Sequence, residues 1–172
     1  MPRYVAFLRG VSPTNAKMPE LVRCFTEAGF AEVKTVLGSG NVIFTVHAAT
    51  ARATLEARAE RATADGLGRR FPTIVRSQKE LGALLSSDPF AGLAVPSDAK
   101  RVITFLRQPP TRPPRLPIEQ DGAAILKLAG TEVFTAYVPS PKGPVFMTLL
   151  ERTFGQDITT RTLATVEKCA RA

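Results

Sequence analysis

The chain of 172 residues carries 23 Lys and Arg against 15 Asp and Glu, a formal charge of +8, with 44% apolar residues. This length buries a sizeable core, as one domain or two small intertwined ones, and the composition excludes disordered and fibrous classes. The charge favours anionic partners such as nucleotides, phosphorylated metabolites or nucleic acid, although the basic residues are scattered rather than gathered into one stripe.

In chain order, Arg3–Leu8 (RYVAFL) reads as a strand. Its two alternating sets of side chains are both largely apolar, which predicts a strand covered on both faces. Arg9 interrupts this apolar start, no small-residue cleavage site follows, and no apolar run nears the ~20 residues of a bilayer span. A cytosolic protein that does not enter a membrane is therefore expected. Met18, Leu21, Val22, Phe25 and Ala28 then fall on one helical stripe that Gly29 stops. Residues 32–37 and 41–46 read as strands on either side of Gly38-Ser39-Gly40. An Ala-rich helix over residues 50–66 follows, with Leu55, Ala59 and Ala62 as its narrow inner face, and then a strand over residues 70–76. The order β-α-β-β-α-β within residues 1–76 is that of the ferredoxin-like plait, with helices on one side of an antiparallel sheet.

Beyond this point Ser77 and Glu80 form a capping box that opens a helix, and Asp88-Pro89 closes it. Lys100–Leu106 reads as a strand. Residues 107–117 hold five prolines, which makes them an extended connector. Residues 123–130 and 132–138 form a hairpin around Gly130-Thr131. Residues 143–155 are helical, burying Val145, Met147, Leu149, Leu150 and Phe154, and a short capped helix opened by Thr159 and Thr160 ends the chain with Leu163 and Val166. Residues 77–172 thus read α-β-β-β-α-α, a second α/β subdomain packed on the first. No short-period sequence repeat is visible, and a structural duplication is compatible with the pattern.

Gly38-Ser39-Gly40-Asn41 raises the question of a phosphate-cradling loop. Such loops run from strand through glycine turn into a helix, whose N-terminal amides hold the anion. Here a strand pattern follows, with no Gly-Lys-Ser/Thr and no third glycine, so the segment is a hairpin turn. The plait topology sharpens its setting. In the strand order 4-1-3-2 the end of the first strand lies beside the start of the third, so the loop after Arg9-Gly10 and this turn share one sheet edge. The second helix finishes there with Arg69 and Arg70. Arg9, Asn15, Lys17, Ser39, Asn41 and Arg70 would then offer convergent donors to an anion. Alternatively, Ser39 and Asn41 cap the turn while Arg9 and Lys17 are solvated.

The blocks YVAFLRGV, LVRCFTEAGFAEVKTVLGSGNVIF, IVRSQKELGALLSSDPF, VITFL and TTRTLATVEK together resemble, over nearly the whole chain, the bacterial family of domain of unknown function 1697. The resemblance implies two intertwined ferredoxin-like α/β subdomains with antiparallel sheets and implies no established activity. The family's RGINVGG-NK block appears here as RGVSPTNAK, matching at Arg9, Gly10, Asn15 and Lys17. Its SKLTN-like block keeps Lys142 at best, and its TTRNWNTV block reads TTRTLATV, which retains Thr159, Thr160, Arg161 and Thr165. Thr160 and Arg161 join the candidate ligand-binding residues on this ground. Thr162, Leu163 and Ala164 replace polar and aromatic groups, so either a ligand site is altered or core volume once filled by Trp is now filled by Leu163.

The sequence supports no catalytic assignment. His47, the single histidine, follows a strand with no particular Ser or Asp placed beside it. Cys24 and Cys169 are far apart and lack metal-ligand spacing, so neither a metal nor a cofactor is expected. Glu20, Glu27, Glu56 and Glu60 read as isolated or surface carboxylates of helices. Tyr4, Phe7 and Phe44 lack the basic-Gly-Phe box of sheet-borne RNA recognition, and both faces of their strands read as buried. Anion binding at the basic loop edge, with Arg161 as a further charge partner, is the leading expectation. An enzyme acting on a phosphorylated or carboxylated small molecule, or a protein-interaction scaffold using residues 107–117, stand as alternatives.

Overall fold

A computed structural model describes residues 1–172 and divides into two compact units. The first comprises Met1–Leu85 together with Glu167–Ala172. Its elements are β1 (Arg3–Leu8), α1 (Met18–Glu27), β2 (Ala31–Val36), β3 (Asn41–Thr45), α2 (Arg52–Leu67), β4 (Thr73–Ser77) and α3 (Gln78–Ser86). The strands stand in the order β2-β3-β1-β4, every neighbour antiparallel, as the plait pattern predicts. Tyr4, Ala6, Leu8, Val42, Phe44 and Val75 share a core with Leu21 and Phe25 of α1 and Leu55 and Ala59 of α2. Phe30, just past α1, sets its ring 4.4 Å from Phe44 and 5.4 Å from Phe25. Fully burying side chains of this kind stabilises by about 1.5–3 kcal/mol each. Val5, Phe7, Ile43 and Ile74 on the opposite face are also buried.

The two crossover helices approach closely where Gly66 of α2 meets Cys24 of α1. A Cβ built on Gly66 would lie 2.3 Å from Cys24 Sγ, which explains a glycine inside a helix otherwise rich in alanine. Burial pushes the Cys24 thiol pKa up.

β4 is an outer strand, and an outer strand ordinarily offers its unpaired amides to other chains. Here three glutamates occupy them. Thr73 N donates to Glu60 Oε2 at 3.2 Å, Val75 N to Glu56 Oε2 at 3.0 Å, and Ser77 N to Glu80 Oε2 at 2.7 Å. Glu56 and Glu60 are therefore not the surface carboxylates that their helical spacing suggests. They are 3% and 6% exposed and seal the sheet edge. Glu80 also receives the Ser77 capping interaction in return, Glu80 N donating to Ser77 Oγ at 3.0 Å, and it pairs with Arg52. Burial works against its charge, but the Ser77 amide and Arg52 prevail and hold its carboxyl below the usual range.

The second unit, Ser86–Val166, contains β5 (Lys100–Leu106), β6 (Ile118–Gln120), β7 (Ala123–Ala129), β8 (Glu132–Tyr137), α4 (Val145–Phe154), β9 (Ile158–Thr162) and the start of α5 (Leu163–Arg171). The sheet order is β6-β7-β8-β5-β9, antiparallel throughout. Two strands were not expected. β6 is only three residues long, and β9 occupies residues assigned from sequence to the last helix. The β-branched run Thr159-Thr160 pairs with β5 instead, and the helix begins at Leu163, capped by Thr162 Oγ1 accepting from Thr165 N at 3.3 Å.

Set β6 aside, and β7-β8-β5-β9 with α4 repeats β2-β3-β1-β4 with α2. The ladder registers align Arg3-Tyr-Val-Ala-Phe-Leu-Arg9 residue by residue with Arg101-Val-Ile-Thr-Phe-Leu-Arg107. Corresponding backbone bonds recur: Leu8 N to Gly40 O at 2.9 Å and Leu106 N to Thr131 O at 2.8 Å. In each fourth strand a buried arginine donates Nη1 to the preceding carbonyl, Arg76 to Val75 O at 2.9 Å and Arg161 to Thr160 O at 2.8 Å. A Ser or Thr cap and a helix follow both. The chain is thus an internal duplication.

The copies differ at the first crossover. Where the first plait has α1, the second has the proline-rich residues 107–117. The register counterpart of Phe44 is Thr135, whose hydroxyl donates to Val102 O at 2.7 Å. With no helix bringing aromatic rings, the sheet needs none to meet them, and Leu116 and Ile118 pack against the core that α4 shares.

Two outcomes follow from these contacts. Gly66→Ala costs about 1–3 kcal/mol through overpacking, outweighing the ~1 kcal/mol that Ala normally gains over Gly in a helix. In urea denaturation, adding Cys24→Ala makes the double variant less destabilised than the sum of the singles; simple additivity would contradict the contact. For Glu80 the folded pKa is depressed, so its stabilisation is complete above the ordinary value of about 4.3 and is lost as pH falls through the folded pKa. Thermal unfolding between neutral and acid pH therefore falls less steeply on the acid side in Glu80→Gln than in the parent.

Candidate functional site

The first plait brings three segments to one end of its sheet: the loop after β1, the turn between β2 and β3, and the link from α2 to β4. Leu8 N bonds Gly40 O at 2.9 Å, and Arg9 N bonds Pro72 O at 2.8 Å, fixing the loop between the other two. Gly40 has φ 86°, and a Cβ there would sit 2.8 Å from Val11 Cβ, so both backbone conformation and space demand glycine. Gly10 faces the third segment, 3.8 Å from Arg69 Nη2 when given a Cβ. The Arg69 guanidinium lies 4.7 Å over the Phe71 ring.

The predicted donors are used in different ways. Asn15 closes its own loop, donating Nδ2 to Gly10 O at 2.7 Å and accepting Ser12 N at 2.8 Å. Ser12 and Thr14 hydroxyls add a 2.8 Å contact, so the Ser12-Pro13-Thr14 variation belongs to a self-contained loop. Asn41 is fully buried and donates Nδ2 to Val36 O at 2.9 Å and Ser39 Oγ at 3.1 Å, stapling the turn. Lys17 is exposed at the head of α1, its amide donating to Glu20 Oε2 at 3.2 Å. Arg70 holds Glu60 Oε1 at 2.9 Å and so braces the sealed edge of β4. Arg9 is half-buried.

Thr160 and Arg161 lie in β9 of the second unit. Arg161 is 9% exposed and serves its own strand, donating to Thr159 Oγ1 and Thr160 O, both at 2.8 Å. Arg107, the register counterpart of Arg9, donates Nε to Asp157 Oδ2 at 2.7 Å, whereas the position matching Asp157 in the first plait is Pro72.

Arg69 was the basic residue to single out beside Arg9. Its signal is the aromatic two residues on, which holds the guanidinium at the loop edge while Arg70 turns to Glu60. His47 is exposed, and Tyr4, Phe7 and Phe44 are buried, so the sheet presents no aromatic platform from them. No group of three or more His, Cys, Asp or Glu side chains could hold a metal ion, and no helix is long and apolar enough to cross a membrane. Two concavities of the second unit, about 300 and 280 Å³, lie on either side of the hairpin tip at Asp121. The larger is walled by small apolar residues such as Ala94, Ala124 and Ala136, and Asp121 pairs with Lys142 at 3.1 Å. The loop edge of the first plait carries the exposed Lys17 and Arg69 and the half-buried Arg9.

Among proteins with curated descriptions, none matches the sequence significantly. Among solved structures, the conserved bacterial protein SP0830 from Streptococcus pneumoniae is similar in fold, with a TM-score of 0.69 and 20% identity over 99% of this chain and 97% of that one. The model of a protein family of unknown function, DUF1697, matches residues 1–134. With that match spanning most of its length, the whole βαββαβ plait of the first unit and part of the second, the chain belongs to the DUF1697 family.

Proposed function

We propose that the protein binds an anionic ligand, by its phosphate or carboxylate group, at the loop edge of the first plait, in the cytoplasm. The observation that carries this proposal is convergence: the Arg9 loop, the Gly38–Gly40 turn and the Arg69 segment meet at one sheet end through the 2.9 Å and 2.8 Å backbone bonds of Leu8 and Arg9. Arg9, Arg69 and Lys17 supply positive charge there. Asn15, Ser39 and Asn41 act as positioning residues that fix the loops, and Arg70 acts through Glu60. A rigid backbone that holds cations in place before the ligand arrives lowers the ordering cost of binding. The net charge of +8 draws anions towards such an edge. Thr160 and Arg161 belong to the second unit, and the proposal does not rest on them.

Inorganic phosphate and a panel of nucleotides raise the melting temperature of the protein, and Arg9→Ala or Arg69→Glu removes most of the rise while the unliganded fold persists. The dependence weakens with added salt, as for any ligand held by charge. A panel that produces no rise, or a rise untouched by both substitutions, contradicts the proposal.

A further inference from the structure

Leu37 opens the turn between β2 and β3 with φ 60°, a conformation that Gly or Asn adopts readily and leucine does not. It is also 49% exposed, and Met1 is its only companion among exposed large hydrophobic residues. Turn geometry does not account for leucine at this position, and a residue that breaks a local rule points to a functional role. Pro13 stands opposite, exposed, with its Cγ 3.9 Å from a Cβ placed on Gly38. Two exposed apolar side chains, Leu37 and Pro13, thus stand on the turn and the loop that meet at this sheet end.

Building on the anion-binding proposal, we infer that the ligand is a nucleotide unit, with its phosphate on the cations of Arg9, Arg69 and Lys17 and the face of its base on Leu37 and Pro13. A bare phosphate or a small sugar phosphate has no apolar body to cover an exposed leucine, whereas every base presents a flat apolar face. Calorimetric titration of the full chain with inorganic phosphate and with AMP reads the two contributions separately. AMP binds roughly tenfold tighter than phosphate, because covering one base face removes apolar surface from water. Leu37→Asn leaves phosphate affinity unchanged and brings AMP to within about threefold of it. The melting temperature of this variant does not fall, because Asn accepts the left-handed conformation. A single strand of about six nucleotides that binds with a steep salt slope identifies nucleic acid as the source of the unit, and saturation by AMP with a shallow slope identifies free nucleotide. Equal affinities for AMP and phosphate, an AMP advantage that survives Leu37→Asn, or a melting temperature that drops in the variant overturns the inference. Failure of phosphate and AMP alike overturns the anion-binding proposal beneath it.

Discussion

β1 sits between β3 and β4, hydrogen-bonded to both, and the rest of the first unit depends on that placement. Because β1 is antiparallel to both neighbours, its C-terminal end meets the start of β3 and the start of β4. Three segments far apart in sequence must then leave the sheet at one point. The loops meet there because backbone geometry brings them, and the side chains of Asn15, Asn41 and Ser39 hold what the topology has assembled. The same placement leaves β4 on the outside, where the glutamates of α2 and α3 close it. The Arg70–Glu60 pair thus braces the protected sheet edge.

The second plait shows what that architecture requires and what it leaves free. Phe7 and Phe105, Leu8 and Leu106, Arg76 and Arg161 occupy equivalent ladder positions, so the register and the buried arginine of the fourth strand persist through duplication. The first crossover helix does not. Without α1 there is no Phe25 to bury, and Thr135 and Thr104 replace Phe44 and Ala6, their hydroxyls 3.3 Å apart. Arg9 and Arg107 mark a further divergence, since Arg107 is held by Asp157.

Much of this fold is legible in the sequence. The doubly apolar RYVAFL, the stripe through Leu21 and Phe25, and the Gly38–Gly40 turn each state their structure locally, and plait topology then places the turn beside the Arg9 loop. Features set by distant pairing are not legible. Thr159-Thr160-Arg161 carries no alternation that marks a strand and becomes one through β5. Glu56 and Glu60 look like surface carboxylates because the amides they bind, at Val75 and Thr73, lie 19 and 13 residues further on. The duplication hides in sequence because only the arginine, phenylalanine and leucine positions of the first strands coincide, while the crossovers share nothing. At the candidate site the convergence of loops was legible, but the division of labour between Arg69 and Arg70 was not, since it turns on which guanidinium reaches Glu60.

The proposed anion site at the loop edge of the first plait can be read residue by residue in solution. In two-dimensional ¹H–¹⁵N NMR during a phosphate titration, the Gly10 amide reports on the loop after β1 and the Gly38 and Gly40 amides on the turn between β2 and β3. With an anion bound at this edge, these three signals shift together and saturably, while those of the Asp121–Gly122 hairpin stay still. Shifts centred on that hairpin, or no saturable shift at the three glycines, would contradict the proposal.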